Sequence, residues 1–224
     1  MKKTIISLFA LVFIYSCTPQ DAPNTFTDSR DGKVYKTVTI GEQVWMAENL
    51  AYLPSVVGPA TGSYTAPYYY VYDYDGTDVD EATATENYQT YGVLYNWPAA
   101  MVACPEGWHL PSDDEWTELL NYLGGEEVAS DKMREVGSSH WPYIAEFSNN
   151  DLATNESGFT ALPGGTRSVL FDGSFLELGK YAEFWTSTVA PGSWPWYVRL
   201  SNSDIYRNHY SGNYAGFSVR CLRD

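Results

Sequence analysis

The sequence predicts an α+β domain. Three observations carry the prediction: a turn-centred β-hairpin near the start, a capped amphipathic helix with a weaker helical stretch behind it, and short strands separated by turns toward the end. Together they imply two short helices packed on small antiparallel sheets, with long irregular loops between them.

The hairpin is VYKTVTIGEQVWMA (34–47), where β-branched and aromatic residues flank Gly41-Glu42. Glycine at the first of two loop positions fits a type II′ turn. Residues 52–90, rich in Tyr, Gly, Thr and Asp, lack helical periodicity and read as a long excursion carrying short strands. YGVLYNW (91–97) returns to apolar alternation, and PAAMVA (98–103) makes a short helical piece with Pro98 in its first turn.

The main helix begins inside ACPEGWHLPSDDEW (103–116). Ser112 and Glu115 form a capping box, and Asp113 and Asp114 add negative charge where the helix dipole favours it. Trp116, Leu119, Leu120 and Leu123 recur on one face, and Gly124-Gly125 ends the helix. These acids therefore have a structural use, and His109, a lone histidine in a packed turn, is read the same way. A weaker helix over 126–136 turns Ala129, Met133 and Val136 inward. Beyond it FTALPGGTR (159–167), AEFWTST (182–188), WYVRL (196–200) and GFSVRCL (216–222) read as strands, with a turn at Asp172-Gly173.

Residues 1–16 read as a lipoprotein signal peptide: Lys2 and Lys3, an apolar run from Ile5 to Tyr15, then Ile14-Tyr15-Ser16 before Cys17. Cys17 is the expected lipidated residue, so a membrane is an expected partner through the acyl anchor. Residues 17–29, rich in Pro, Asp, Asn and Thr, are the expected tether, and 30–224 the folded domain. Thr18 is not the aspartate that retains some lipoproteins at the inner membrane, which tilts the expected location to the outer membrane.

The chain carries a formal net charge of −15, with 13 basic and 28 acidic residues. No segregated basic patch offsets it, which excludes nucleic acid as a partner. Cys104 and Cys221 remain beside Cys17 in an exported chain, so a single long-range disulfide is expected. The histidines at 109, 140 and 209 have no metal-type spacing.

Two constellations carry candidate function. DYDGTDVDE (73–81) sets Asp73, Asp75, Asp78, Asp80 and Glu81 around Gly76, which is either a calcium site or a solvated acidic loop, and it does not match an EF-hand. Just before it lie Tyr64, Tyr68, Tyr69, Tyr70, Tyr72 and Tyr74. Exposed, Tyr68, Tyr70, Tyr72 and Tyr74 would stack on sugar rings or contact a protein. Buried, they would form a Tyr-rich β layer. Arg167, Arg199 and Arg220 are expected in structural ion pairs. No nucleophile elbow, P-loop, zinc-protease or dinucleotide motif occurs in the sequence.

The blocks DSRDGKVYKTVTIGEQVWMAENL (28–50), YGVLYNWPAAM (91–101), CPEGWHLPSDDEW (104–116), GFTALPGG (158–165) and GFSVRC (216–221) resemble, in this order, the Fibrobacter succinogenes major paralogous domain. That resemblance implies a secreted or lipid-anchored bacterial protein with a C-type lectin-like fold, related to formylglycine-generating enzymes. The Glu-Pro-Asn and Trp-Asn-Asp sugar-binding signatures of C-type lectins are absent, and so is the closely spaced cysteine pair that holds copper in those enzymes. The expected function is non-catalytic: a lipid-anchored envelope protein binding an extracellular glycan or protein. The alternatives are a structural subunit of a surface assembly and a formylglycine-generating-type enzyme.

Overall fold

The computed structural model describes residues 24–142, 152–169, 173–210 and 212–224. It is an α+β arrangement of small antiparallel sheets and short helices. The largest sheet has the order β1-β2-β3-β12-β6, formed by Thr25–Thr27, Val34–Ile40, Gln43–Met46, Leu222–Arg223 and Trp108–His109. β2 and β3 are the expected hairpin. Ile40 pairs with Gln43 around a two-residue loop in which Gly41 has φ +64°, as a type II′ turn requires of its first position.

β1 is an addition at the edge of this sheet. The tether expected over 17–29 gives up Thr25–Thr27 to pair with β2, and Phe26 packs on Trp108 at 5.0 Å. Asp28 follows, fully buried and held by Arg30 at 2.6 Å. A buried carboxylate needs such a partner, so the fold reaches further toward the N-terminus than composition indicates.

Among the described residues, five helices stand where the sequence predicts two and a short piece. α1 (Val79–Thr83) and α2 (Glu86–Tyr91) occupy part of the excursion read as irregular, after β4 (Tyr69–Tyr70). With five and six residues they are too short to show an amphipathic repeat, and each is started by its cap. The Asp78 carboxylate accepts from the Glu81 N–H, and the Thr85 hydroxyl from the Tyr88 N–H. β5 (Leu94–Tyr95) pairs with β4, and α3 (Trp97–Ala103) follows with Pro98 in its first turn. α4 (Asp113–Tyr122) carries the full capping box and buries Trp116, Leu119 and Leu120. α5 (Glu126–Met133) is shorter than expected: Arg134 is already extended, and Val136 is exposed rather than inward.

The later strands are β7 (Gly164–Arg167) with β8 (Phe175–Leu178), and β9 (Ala182–Ala190), β10 (Trp194–Leu200) and β11 (Ile205–His209) in the order β11-β10-β9. Asp172 of the expected Asp172-Gly173 turn lies outside the described residues. GFSVRCL does not form one continuous strand. Gly216, Phe217 and Ser218 bridge singly to Arg167, Tyr95 and Phe184, and only Leu222 and Arg223 join a ladder. The segment stitches neighbouring sheets together instead of extending one. Gly216 permits the closest pass, since a Cβ there would lie 2.9 Å from that of Arg167.

Among the described residues two apolar clusters fill the interior, and β9 separates them because strand residues alternate faces. Trp185 joins Tyr95, Val71 and Phe217, while Phe184 joins Trp45, Trp116 and Phe159. Cys104, at the end of α3, is disulfide-bonded to Cys221, with their Cα atoms 5.8 Å apart. The bond fastens the entry to α4 onto the C-terminal segment. Among the described residues no helix is long and apolar enough to cross a membrane.

Candidate functional site

The three-stranded sheet supplies the site. Val198, Leu200 and Ile205 lie in the same apolar cluster as the buried side chains of α4 and α5. Alternation sends Tyr197 and Arg199 to the opposite face. Register then builds a row across the strands, because Arg199 pairs with Glu183 of β9 on one side and Tyr206 of β11 on the other. The adjoining row, Trp185 and Tyr197, is covered by Phe217. Arg199 and Tyr206 instead line a cleft of about 550 Å³ with Lys180, Tyr181 and the β10–β11 loop, residues 201–204.

Arg199 is the fixed centre of this cleft. Its Nε and Nη2 donate to the single oxygen Oε1 of Glu183, at 2.8 and 2.6 Å. Its guanidinium carbon lies 4.6 Å from the Tyr181 ring centre and 5.5 Å from that of Tyr197, a cation between two aromatic faces. Glu183 is 1% exposed and its Oε2 has no partner among the described residues. Burial pushes its carboxyl above the ordinary range while Arg199 pulls the other way. Burial also pushes the Tyr197 hydroxyl up to about 12, so it stays protonated.

The loop that closes the cleft is braced from inside. The Asp204 carbonyl accepts from the Ser201 N–H at 2.9 Å, and the Ser201 hydroxyl donates to the Asp204 carboxylate. From α5, the Ser130 hydroxyl donates to the Ser201 carbonyl at 2.8 Å. The Arg134 side chain donates to Asn202 Oδ1 at 3.3 Å. At the rim Lys180 pairs with Glu177 at 3.0 Å and lies 4.7 Å from the Tyr181 ring centre. Tyr206 is 46% exposed, so the cleft combines an open aromatic face with a braced rim of hydroxyl, amide and carboxylate groups.

The residues singled out from the sequence lie elsewhere. Asp78 caps α1, Asp80 and Glu81 sit in its first turn, and Glu81 Oε2 accepts from the Tyr74 hydroxyl at 3.1 Å. Asp73 takes a left-handed conformation at φ +61°, and Asp75 approaches Gly58. Among the described residues, no three His, Cys, Asp or Glu side chains gather as a metal site.

Tyr70 is fully buried and donates to the Thr61 carbonyl at 2.7 Å, which corrects its placement on an exposed stacking surface. Tyr69 is buried as well, while Tyr68, Tyr72 and Tyr74 are half-buried, Tyr72 against Phe175 at 5.1 Å. Of the run, only Tyr69 and Tyr70 form a strand, while Tyr64 is exposed and packs on Tyr214 at 4.5 Å. Of the three arginines, Arg199 has the expected ion pair. Arg167 donates to the carbonyls of Pro59 and Tyr214, and Arg220 to those of Met46, Phe159 and Thr160, in place of carboxylates. Cys17 lies outside the described residues.

Fold and site together define an α+β domain with a cleft on its three-stranded sheet. The Fibrobacter succinogenes major domain model matches residues 38–223, most of the chain, and the protein belongs to that family. No curated protein and no solved structure matches the chain.

Proposed function

We propose that this is a lipid-anchored protein of the cell envelope whose domain binds an extracellular glycan in the β9–β11 cleft without transforming it. One observation carries the reading: an open tyrosine face, Tyr206, beside a braced rim of Ser201, Ser203, Asp204 and Arg199. Sugars offer a ring of C–H bonds for an aromatic face and hydroxyls that both donate and accept, and this lining answers both. In this reading the architecture is C-type lectin-like, with a disulfide from the main-helix entry to the C-terminal segment and long loops between. Cys17 carries the acyl anchor, at the outer membrane.

A glycan array with the full-length protein tests the reading, followed by titration of bound saccharides into Tyr206→Ala. Truncating that exposed ring leaves the core intact and is expected to weaken binding about two- to tenfold. Unchanged affinity in the variant, or an array without hits, overturns the proposal. Metabolic labelling with palmitate tests the anchor separately, since the label should vanish in Cys17→Ala.

A further inference from the structure

The charges around the cleft indicate which saccharides it takes, a step that rests on the glycan reading above. Both cations there are already matched: Lys180 by Glu177 at 3.0 Å and Arg199 by Glu183 at 2.6 Å. Asp204 lines the same cleft and has no cation partner among the described residues; its carboxylate only accepts from Ser201 and is otherwise exposed. The site therefore carries one uncompensated negative charge on a chain whose net charge is already −15. An incoming carboxylate or sulfate meets repulsion and finds no spare cation.

A hydroxyl finds the opposite. Arg199 Nη1 makes no hydrogen bond to the described residues and can donate, while the Asp204 carboxylate accepts and the Ser203 hydroxyl does both. Neighbouring hydroxyls on a sugar ring need such a mixture within one small cleft. The loop carrying Ser203 and Asp204 is pinned by Ser130 of α5 and by Arg134 just beyond it, so the acceptor is set before the ligand arrives. We infer that the cleft selects neutral saccharides, and that Asp204 is the residue that reads their hydroxyls and turns anionic sugars away.

The test is calorimetric titration of the full-length protein with three matched pairs: oligomers of galactose, glucose and mannose beside the corresponding uronates. The neutral member is expected to bind about five- to tenfold more tightly at low salt, with the gap narrowing as salt screens the repulsion. Asp204→Asn keeps the side-chain shape and should narrow the gap, whereas Tyr206→Ala should weaken both members alike. Uronates that bind as well as their neutral partners, or a gap indifferent to Asp204→Asn, overturn the inference and leave the glycan reading standing. If none of the six saccharides binds, the inference falls, and the glycan array alone decides the glycan reading.

Discussion

Arg220 and Arg199 show two ways for one fold to hold a guanidinium. Arg220, beside the disulfide, is 1% exposed and spends its donors on Asn49 and on the carbonyls of Met46, Phe159 and Thr160. Burial pulls its pKa down to about 9, against a weaker upward pull from Glu48. Arg199, in the cleft, has a side chain 32% exposed and leans on one buried carboxylate, leaving Nη1 open. The lesson lies in the donors left over. Carbonyls around a buried arginine turn it into a bracket for the chain, whereas a single carboxylate behind it fixes its position and leaves a face to present.

The largest effect should come from cutting the bracketed region covalently. Cys104→Ser with Cys221→Ser removes a crosslink between residues 117 apart in sequence. Loop-closure entropy puts the cost at about 5 kcal/mol, read by denaturant unfolding. A loss below about 2 kcal/mol would mean that the stitches of residues 216–222 hold the region without the bond.

Next comes a direct contest between the arginines. Arg220→Met leaves four neutral acceptors without their donor and should cost about 3–5 kcal/mol. Replacing Arg199 and Glu183 together by Gln removes both charges of a pair whose carboxylate is buried, and should cost about 1 kcal/mol or less. Similar losses at the two sites would erase the distinction between bracket and presented group.

The two regions were unequally legible. The bracketed one announces itself locally: Ser112 and Glu115 three apart, the apolar face from Trp116 to Leu123, the Gly41-Glu42 turn, and two cysteines left to pair. Each is a short-range pattern or a count. The cleft is not local. Glu183, Arg199 and Tyr206 meet only through cross-strand register, which a list of strands does not provide. The alternation in WYVRL does place Tyr197 and Arg199 on one face, and that was the available signal. The acidic loop carries two patterns at once. Asp78 and Glu81 have the spacing of a helix cap as well as that of a cation loop, and a five-residue helix is too short to betray itself by periodicity.

The smallest expected effect concerns the edge of the bracketed region, where His109 joins the helix cap to the end of the chain. Its Nε2 lies 2.9 Å from Glu115 Oε1 and its Nδ1 2.6 Å from Asp224 Oδ1. Partial burial works against the imidazolium, but Asp224 and Glu115 outweigh it and hold the pKa above 6.5. Stability from this raised group is fully present below pH 6.5 and is lost as pH rises through the folded value. Burial of Glu115 is likewise outweighed by bonds from Ser112 and His109, which hold its pKa below 4.5; its contribution is present above pH 4.5 and is lost as pH falls through the folded value. The contact is therefore strongest between pH 4.5 and 6.5, where both groups are charged. The side chains are 37%, 32% and 61% exposed, so solvent screens them and the effect stays under about 1 kcal/mol. Melting temperatures of the wild type and His109→Gln, taken from pH 5 to 9, should converge as pH rises. A constant difference across that range would show that His109 acts by packing alone. The cap would then rest on Ser112 and Glu115 without help from the end of the chain.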